Sequence, residues 1–217
     1  MLLIAKLQAP PMNDLYNCAM YLHRELSRHN VPYYFLGGFA CINVAMTART
    51  TADIDIAVPN GQNGYGVLLE ILQRAPFVQD TEGFISQDSY FFFVESSGRF
   101  VEVDGILAGF MAFPKIEQAG TIQLQHLQLN FLNPAGLLKL KLSSWANKSR
   151  RSGLKRDGDI IDINSIRNLL IQNGEVMSLK GLEGDAANGL WDWIREFEDL
   201  KTWQLLDSSY KGRKPRK

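Results

Sequence analysis

Asp53 and Asp55 flank a single isoleucine in Asp53-Ile-Asp-Ile56, and that spacing sets the chemistry this chain could do. Successive side chains of a strand alternate between faces, so the two carboxylates share one side while Ile54 and Ile56 take the other. Two anions that close repel each other, and they make sense with a divalent cation, which takes oxygen ligands, between them. Upstream, the apolar run Tyr34-Phe-Leu36 ends in Gly37-Gly38, with fourteen residues between Gly38 and Asp53. Paired glycines between a strand and a helix let the backbone come close to a bulky anion, and the N–H groups of the helix start face it. A third acidic element follows in Phe100-Val-Glu-Val-Asp104, where Glu102 and Asp104 face one way and Val101 and Val103 the other. The ordinary alternative for Asp53 and Asp55 is a solvated strand face. Asp is a poor strand former, so a pair of them between apolar residues after a Gly-Gly turn is poorly explained that way.

These residues need a scaffold. Residues 13–29 carry Leu15, Cys18, Leu22 and Leu26 in helical rhythm, with Asn13-Asp14 as the expected cap and Asn30 and Pro32 as the stop. Strands are expected at 31–36 and 53–58, with a helix over 40–48 between them and another over 66–74. A strand starts at Phe77, and strong β runs cover 89–95 and 99–107, joined by a turn at Ser96-Ser-Gly98. Residues 122–132 read as a strand pair or edge segment. Asn133-Pro134 opens a helix-rich half, proline being suited to a first helical position. Its first helix, 135–149, carries Lys139, Lys141 and Trp145. A basic loop over 149–156 contains Arg150 and Arg151, and Asp157 or Asp159 is expected to cap a helix running through Leu170. A last helical region spans 185–210, where Trp191, Phe197 and Trp203 with Ile194 and Leu200 form a stripe, read as core or as a contact in a homodimer.

Composition narrows the classes. The chain has 217 residues, 46% hydrophobic and 21% charged, with a formal net charge of zero. That suits a folded domain able to bury a core, and it argues against a nucleic-acid binder of the generally basic kind. Cys18 and Cys41 read as buried thiols of a reducing compartment, and His23, His29 and His126 have no zinc spacing. No apolar run reaches membrane length, and Met1-Leu-Leu-Ile-Ala5 lacks the build of a signal peptide. The expected location is cytoplasmic, or nuclear if the basic tail at 211–217 is a localisation signal.

The pattern apolar-Gly37-Gly38, spacer, Asp53-Ile-Asp-Ile56 resembles the signature of the nucleotidyltransferase superfamily that includes DNA polymerase β. In the form Arg49-Thr-Thr-Ala-Asp-Ile-Asp55 it resembles the small stand-alone members related to minimal nucleotidyltransferases and abortive-infection type antitoxins. The match is close over Gly37–Ile56 and looser to about Leu170, and the spacer is at or slightly beyond the usual length. The resemblance implies an α+β fold, a small mixed sheet flanked by helices. The implied domains are a catalytic one at 1–132, a helical segment at 133–210 that closes the nucleotide cleft, and a disordered tail at 211–217. It further implies metal-dependent transfer of a nucleoside monophosphate from an NTP to an acceptor, releasing pyrophosphate. On that basis Asp53, Asp55 and Asp104 hold Mg2+ or Mn2+, with Glu102 as the alternative third carboxylate, and Gly37 and Gly38 cradle the triphosphate. Arg49 either complements a phosphate charge or is structural.

Further on, Lys141-Leu-Ser-Ser-Trp-Ala146 and Asp159-Ile-Ile-Asp162 resemble a pattern of the same small family, in which a helix lysine faces the phosphates under an Asp-x-x-Asp helix. Lys139 and Lys141 point to different sides, and Lys141 is the one chosen. The bland readings are an exposed surface lysine, and a cap and salt-bridge partner for the two aspartates. The acceptor, whether small molecule, protein or RNA, is open. The competing class is a non-catalytic nucleotide- or RNA-binding regulatory module of the same fold, which metal dependence of NTP binding would distinguish.

Overall fold

The computed structural model describes residues 9–79, 90–110, 113–124, 127–147 and 153–212. The expectations for Met1–Ala5, Ser89, His126, Arg150, Arg151 and residues 213–217 lie outside them. The chain divides into two compact units: one takes the residues up to Ala40 and Thr50–Leu132, the other Cys41–Arg49 and Asn133–Lys217.

The first unit is a seven-stranded mixed sheet with helices. Helix α1 (Met12–Arg28) is capped at Pro11, not at Asn13-Asp14; Asp14 lies buried in the first turn, where it accepts a hydrogen bond from Ser97 Oγ at 2.7 Å. Asn30 turns left-handed (φ 54°) just past the helix, and the chain then enters β1 (Tyr34–Leu36). Helix α2 (Gly37–Ala45) starts on the glycines, as expected, and ends three residues short of the expected 48. Gly37 has φ 64°, a conformation that glycine alone adopts without strain, and this bends strand directly into helix.

Next come β2 (Asp53–Val58), a π-helical turn at Gln62–Gly66, α3 (Val67–Leu72) and β3 (Phe77–Gln79). The hairpin of β4 (Tyr90–Val94) and β5 (Arg99–Leu107) turns at Gly98, whose N–H reaches Val94 O at 2.8 Å. Then β6 (Thr121–Leu124) and β7 (Leu129–Leu132) form the strand pair expected within 122–132. Across the sheet the order is β3-β4-β5-β2-β1-β7-β6. β2 sits in the middle, parallel to β5 and antiparallel to β1.

One face of that sheet is covered by helices. Tyr21 of α1 meets the rings of Phe77 and Phe92 edge-on or tilted, and Leu68 of α3 stands against Gly105, which is in register with Ile56. Ile54, Ile56, Val101 and Val103 are buried. Each isoleucine contributes about 2 kcal/mol of burial, ample to offset the weak strand preference of the aspartates between them.

The second unit is helical. In α4 (Pro134–Ala146) Pro134 is the first residue, and the Asn133 side chain accepts from Gly136 N at 2.8 Å. α5 (Leu154–Gln172) begins before either Asp157 or Asp159, so neither caps it, and Gly153 at φ 73° occupies the cap position. The last helical stretch is two helices, α6 (Gly184–Phe197) and α7 (Leu200–Trp203), separated where Glu198 turns left-handed. Asp199 fixes the corner, accepting from the indole N–H of Trp193 and of Trp203 at 3.0 Å each. Of the expected stripe Ile194 and Trp203 are buried, Trp191 and Leu200 are half-buried, and Phe197 is exposed on one side but touches the Trp145 and Trp193 rings; Trp193, outside the stripe, is the buried tryptophan of α6. Among the described residues no helix is long and apolar enough to cross a membrane.

Candidate active site

In the first unit the parallel pairing of β2 with β5 sets Asp53 opposite Glu102 and Asp55 opposite Asp104. Residues paired across a ladder point to the same face, so four carboxylates occupy two alternate rungs, with Ile54–Val103 between them, on the side away from α3. Asp53, Asp55 and Glu102 are half-buried and Asp104 is exposed. Both candidates for the third carboxylate thus share the face of Asp53 and Asp55, Asp104 beside Asp55 and Glu102 beside Asp53.

Two residues shape the aspartates. Thr51 Oγ1 donates to Asp53 Oδ1. This hydroxyl was not among the candidates: Thr51 lies just ahead of β2, where strand alternation does not place its side chain. Gly37 lies against Asp55: a methyl group at position 37 would stand 1.7 Å from Asp55 Oδ2. The glycine is therefore required twice, by its positive φ and by the carboxylate packed on its Cα. Gly38, the second residue of α2, is buried.

As donors, four carboxylates on neighbouring strands suit a hard divalent cation. As the side chains stand, no three His, Cys, Asp or Glu groups among the described residues converge where a metal ion would sit. Asp53, Asp55, Glu102 and Asp104 share one face, and their carboxylates would have to turn toward one another to hold such an ion.

The other two candidates, Arg49 and Lys141, belong to the second unit. Arg49 follows Met46, which turns left-handed after α2, and its Nε and Nη2 donate to the two oxygens of Asp162 at 2.7 Å each. Lys141 Nζ reaches Asp162 Oδ2 at 2.8 Å and Asp159 Oδ1 at 3.1 Å. Lys141, Asp159 and Asp162 are all buried, so this lysine is no exposed surface residue, and the Asp-x-x-Asp spacing on α5 aims both carboxylates at one ammonium. Burial by itself works to lower the Lys141 pKa; its acidic neighbours Cys41, Asp162 and Asp159 more than offset this, and the net shift is upward, keeping Lys141 charged. Burial drives the Cys41 thiol strongly up, so it is neutral at neutral pH. Cys18 and Cys41 are both free and buried.

Neither the protein-family models nor the curated proteins give a sequence match to this chain. Solved structures do share its fold. An antigenic nucleotidyltransferase-like protein from Paracoccidioides brasiliensis superposes with a TM-score of 0.66 at 17% identity, over 92% of this chain and 94% of that one. The antibiotic-resistance factor ANT(2'')-Ia in solution gives 0.54 at 11% identity, over 88% and 97%. The same factor in complex with adenylyl-2''-tobramycin gives 0.52 at 12% identity, over 83% and 99%. The mixed α+β fold is thus that of nucleotidyltransferase-like proteins, over most of the chain.

Proposed function

We propose that the protein is a metal-dependent nucleotidyltransferase, moving a nucleoside monophosphate from an NTP to an acceptor with release of pyrophosphate. The observation that carries this reading is the register of β2 and β5, which sets Asp53 and Asp55 beside Glu102 and Asp104 on one open face next to Gly37. Asp53, Asp55 and Asp104 would hold Mg2+ or Mn2+, and the bound ions supply charge that stabilises the attacking and leaving oxygens. Thr51 holds the Asp53 carboxylate in orientation. The Asp104 carboxylate, the most exposed of the four, accepts the proton of the attacking hydroxyl. The N–H groups at the start of α2, from Gly37 and Gly38, face the triphosphate; in the second unit Arg49 and Lys141 are the candidates to complement phosphate charge.

The acceptor belongs to one of three classes, a small molecule, a protein or RNA. The adenylyl-2''-tobramycin in the complex of the structurally similar resistance factor supports beginning with small molecules. The test is incubation with each α-labelled NTP and Mg2+ or Mn2+, adding small molecules, proteins and RNA from cell extract in turn. Pyrophosphate release by the wild type and not by Asp53→Asn/Asp55→Asn is the expected result, and the labelled species identifies the acceptor. No turnover, together with NTP binding that ignores the metal, would instead make the protein a non-catalytic binding module.

A further inference from the structure

Toward the end of the second unit the chain encloses a depression of about 370 Å³. Small-molecule sites span roughly 300–1,000 Å³, so it is large enough for a small organic ligand. Its floor is apolar: Leu179, Leu182, Ala187 of α6 and Tyr210 line it, and each is at most 9% exposed. The other lining residues, Lys180, Ser209 and Lys211, are exposed, and among the described residues lining it none is acidic.

One carboxylate ties the two walls together. Asp207 Oδ2 accepts from Leu179 N at 3.0 Å, and Asp207 Oδ1 accepts from Ser209 N at 3.0 Å and from Ser209 Oγ. Asp207 is thereby committed to the walls and pairs with neither lysine. Lys180 and Lys211 have no ion pair among the described residues.

Tyr210 adds a third donor. Its carbonyl accepts from Gln204 Nε2 at 2.9 Å, but its hydroxyl has no hydrogen-bond partner among the described residues. That oxygen is not one of the sealed-off polar atoms, so a ligand can reach it. Burial and the charge of Asp207 push the phenol pKa up, which keeps the hydroxyl protonated and able to donate. A hydrocarbon body would cover the floor, and the two oxygens of a carboxylate would meet the donors.

We propose that this depression binds a small aliphatic carboxylate, its chain against Leu179, Leu182 and Ala187 and its head group met by Lys180, Lys211 and the Tyr210 hydroxyl. Asp207 touches no ligand; it holds Leu179 and Ser209 at the spacing that leaves the floor uncovered.

The experiment titrates the full chain with sodium octanoate by calorimetry, with octanol as the neutral control, and follows amide shifts by NMR. Octanoate should bind saturably, move the amides of Leu182, Ala187 and Tyr210, and bind about tenfold more tightly than octanol. Lys180→Gln/Lys211→Gln should weaken octanoate about tenfold and leave octanol unchanged; both lysines are exposed, so the fold should tolerate the change. Tyr210→Phe should weaken octanoate about threefold. Ala187→Phe fills the floor and should abolish binding of both probes; if that variant does not fold, the lysine pair still decides. The proposal is overturned by octanol binding as tightly as octanoate, or by equal octanoate affinity in the wild type and the double lysine variant. Shifts confined to other parts of the chain, or no saturable binding, overturn it as well. The titration contains no nucleotide, so its outcome is separate from the nucleotidyltransferase reading.

Discussion

Replacing Gly37 with alanine separates two demands that the structure places on one residue. The first is conformational. At φ 64° an L-residue pays about 1 kcal/mol or somewhat more, because its Cβ crowds the backbone. The second is steric: the new methyl would stand 1.7 Å from Asp55 Oδ2 and 2.6 Å from Asp55 Cγ, so that carboxylate must swing away. Gly98 provides the matched control. Its φ is 66°, and no atom outside its chain neighbours lies within 4 Å of where a Cβ would stand, so Gly98→Ala carries the strain without the collision. Urea denaturation should give a loss of about 1 kcal/mol for Gly98→Ala and about 2–4 kcal/mol for Gly37→Ala, the excess being the overpacking cost. Nucleotidyl transfer, read as pyrophosphate release, should be near wild type for Gly98→Ala and about a hundredfold lower for Gly37→Ala, since a catalytic group displaced by about 1 Å costs that much. Equal loss of stability in the two variants, with activity retained in Gly37→Ala, would refute the argument that Asp55 is seated on the glycine.

Three further expectations concern other parts of the chain. Asp104→Asn should reduce transfer more than Glu102→Gln, because Asp104 is the more exposed and pairs with Asp55; the opposite order in a pyrophosphate-release assay would assign the role to Glu102. Gly189 of α6 lies where a methyl would stand 1.8 Å from the backbone oxygen of Leu142 in α4, so Gly189→Ala should cost about 3 kcal/mol in urea denaturation, and a neutral effect would contradict this helix contact. The Tyr33 and Tyr34 hydroxyls are pushed up to about 12, in both cases chiefly by burial. Between about pH 10 and 12 the folded chain thus keeps protons that the unfolded chain has released, so stability should fall as pH rises through that window. Tyr33→Phe/Tyr34→Phe should flatten the decline in urea midpoint, and an identical slope would remove these phenols as its cause.

Where a pattern is local, the sequence read well. The spans expected at 53–58 and 99–107 match β2 and β5 residue for residue, and the period of two holds over Asp53–Ile56 and 100–104, where burial of one face enforces it; Ala57 and Val58 are both buried. Asn133-Pro134 likewise announces the start of α4. What escaped is what only neighbours determine. Pro11 serves as the cap of α1 because Asp14 is drawn into the interior by Ser97, eighty-three residues away in the chain. The break at Glu198 depends on Asp199 receiving two indole donors, a pairing that helical spacing does not show. In the candidate site, the same-face pair was legible in Asp53 and Asp55, but the rung that each shares with β5 is a matter of register between strands over forty residues apart. Lys141 and Arg49 could be named as cations; that Asp162 binds both was not readable from composition or spacing.

The central placement of β2 has a consequence in time. Its residues pair with β5 along all six positions and with β1 along three, so the strand is laced on both flanks, whereas β3 and β6 are the outer strands of the sheet. Amide protons at such a site exchange with solvent only when a large part of the sheet comes apart, while those of an outer strand escape through small local openings. Asp55 lies in the stretch paired on both flanks, and Asp53 in the stretch paired with β5. Their spacing should therefore survive every fluctuation short of unfolding, and on heating, catalysis and fold should be lost together, with no earlier decline in activity.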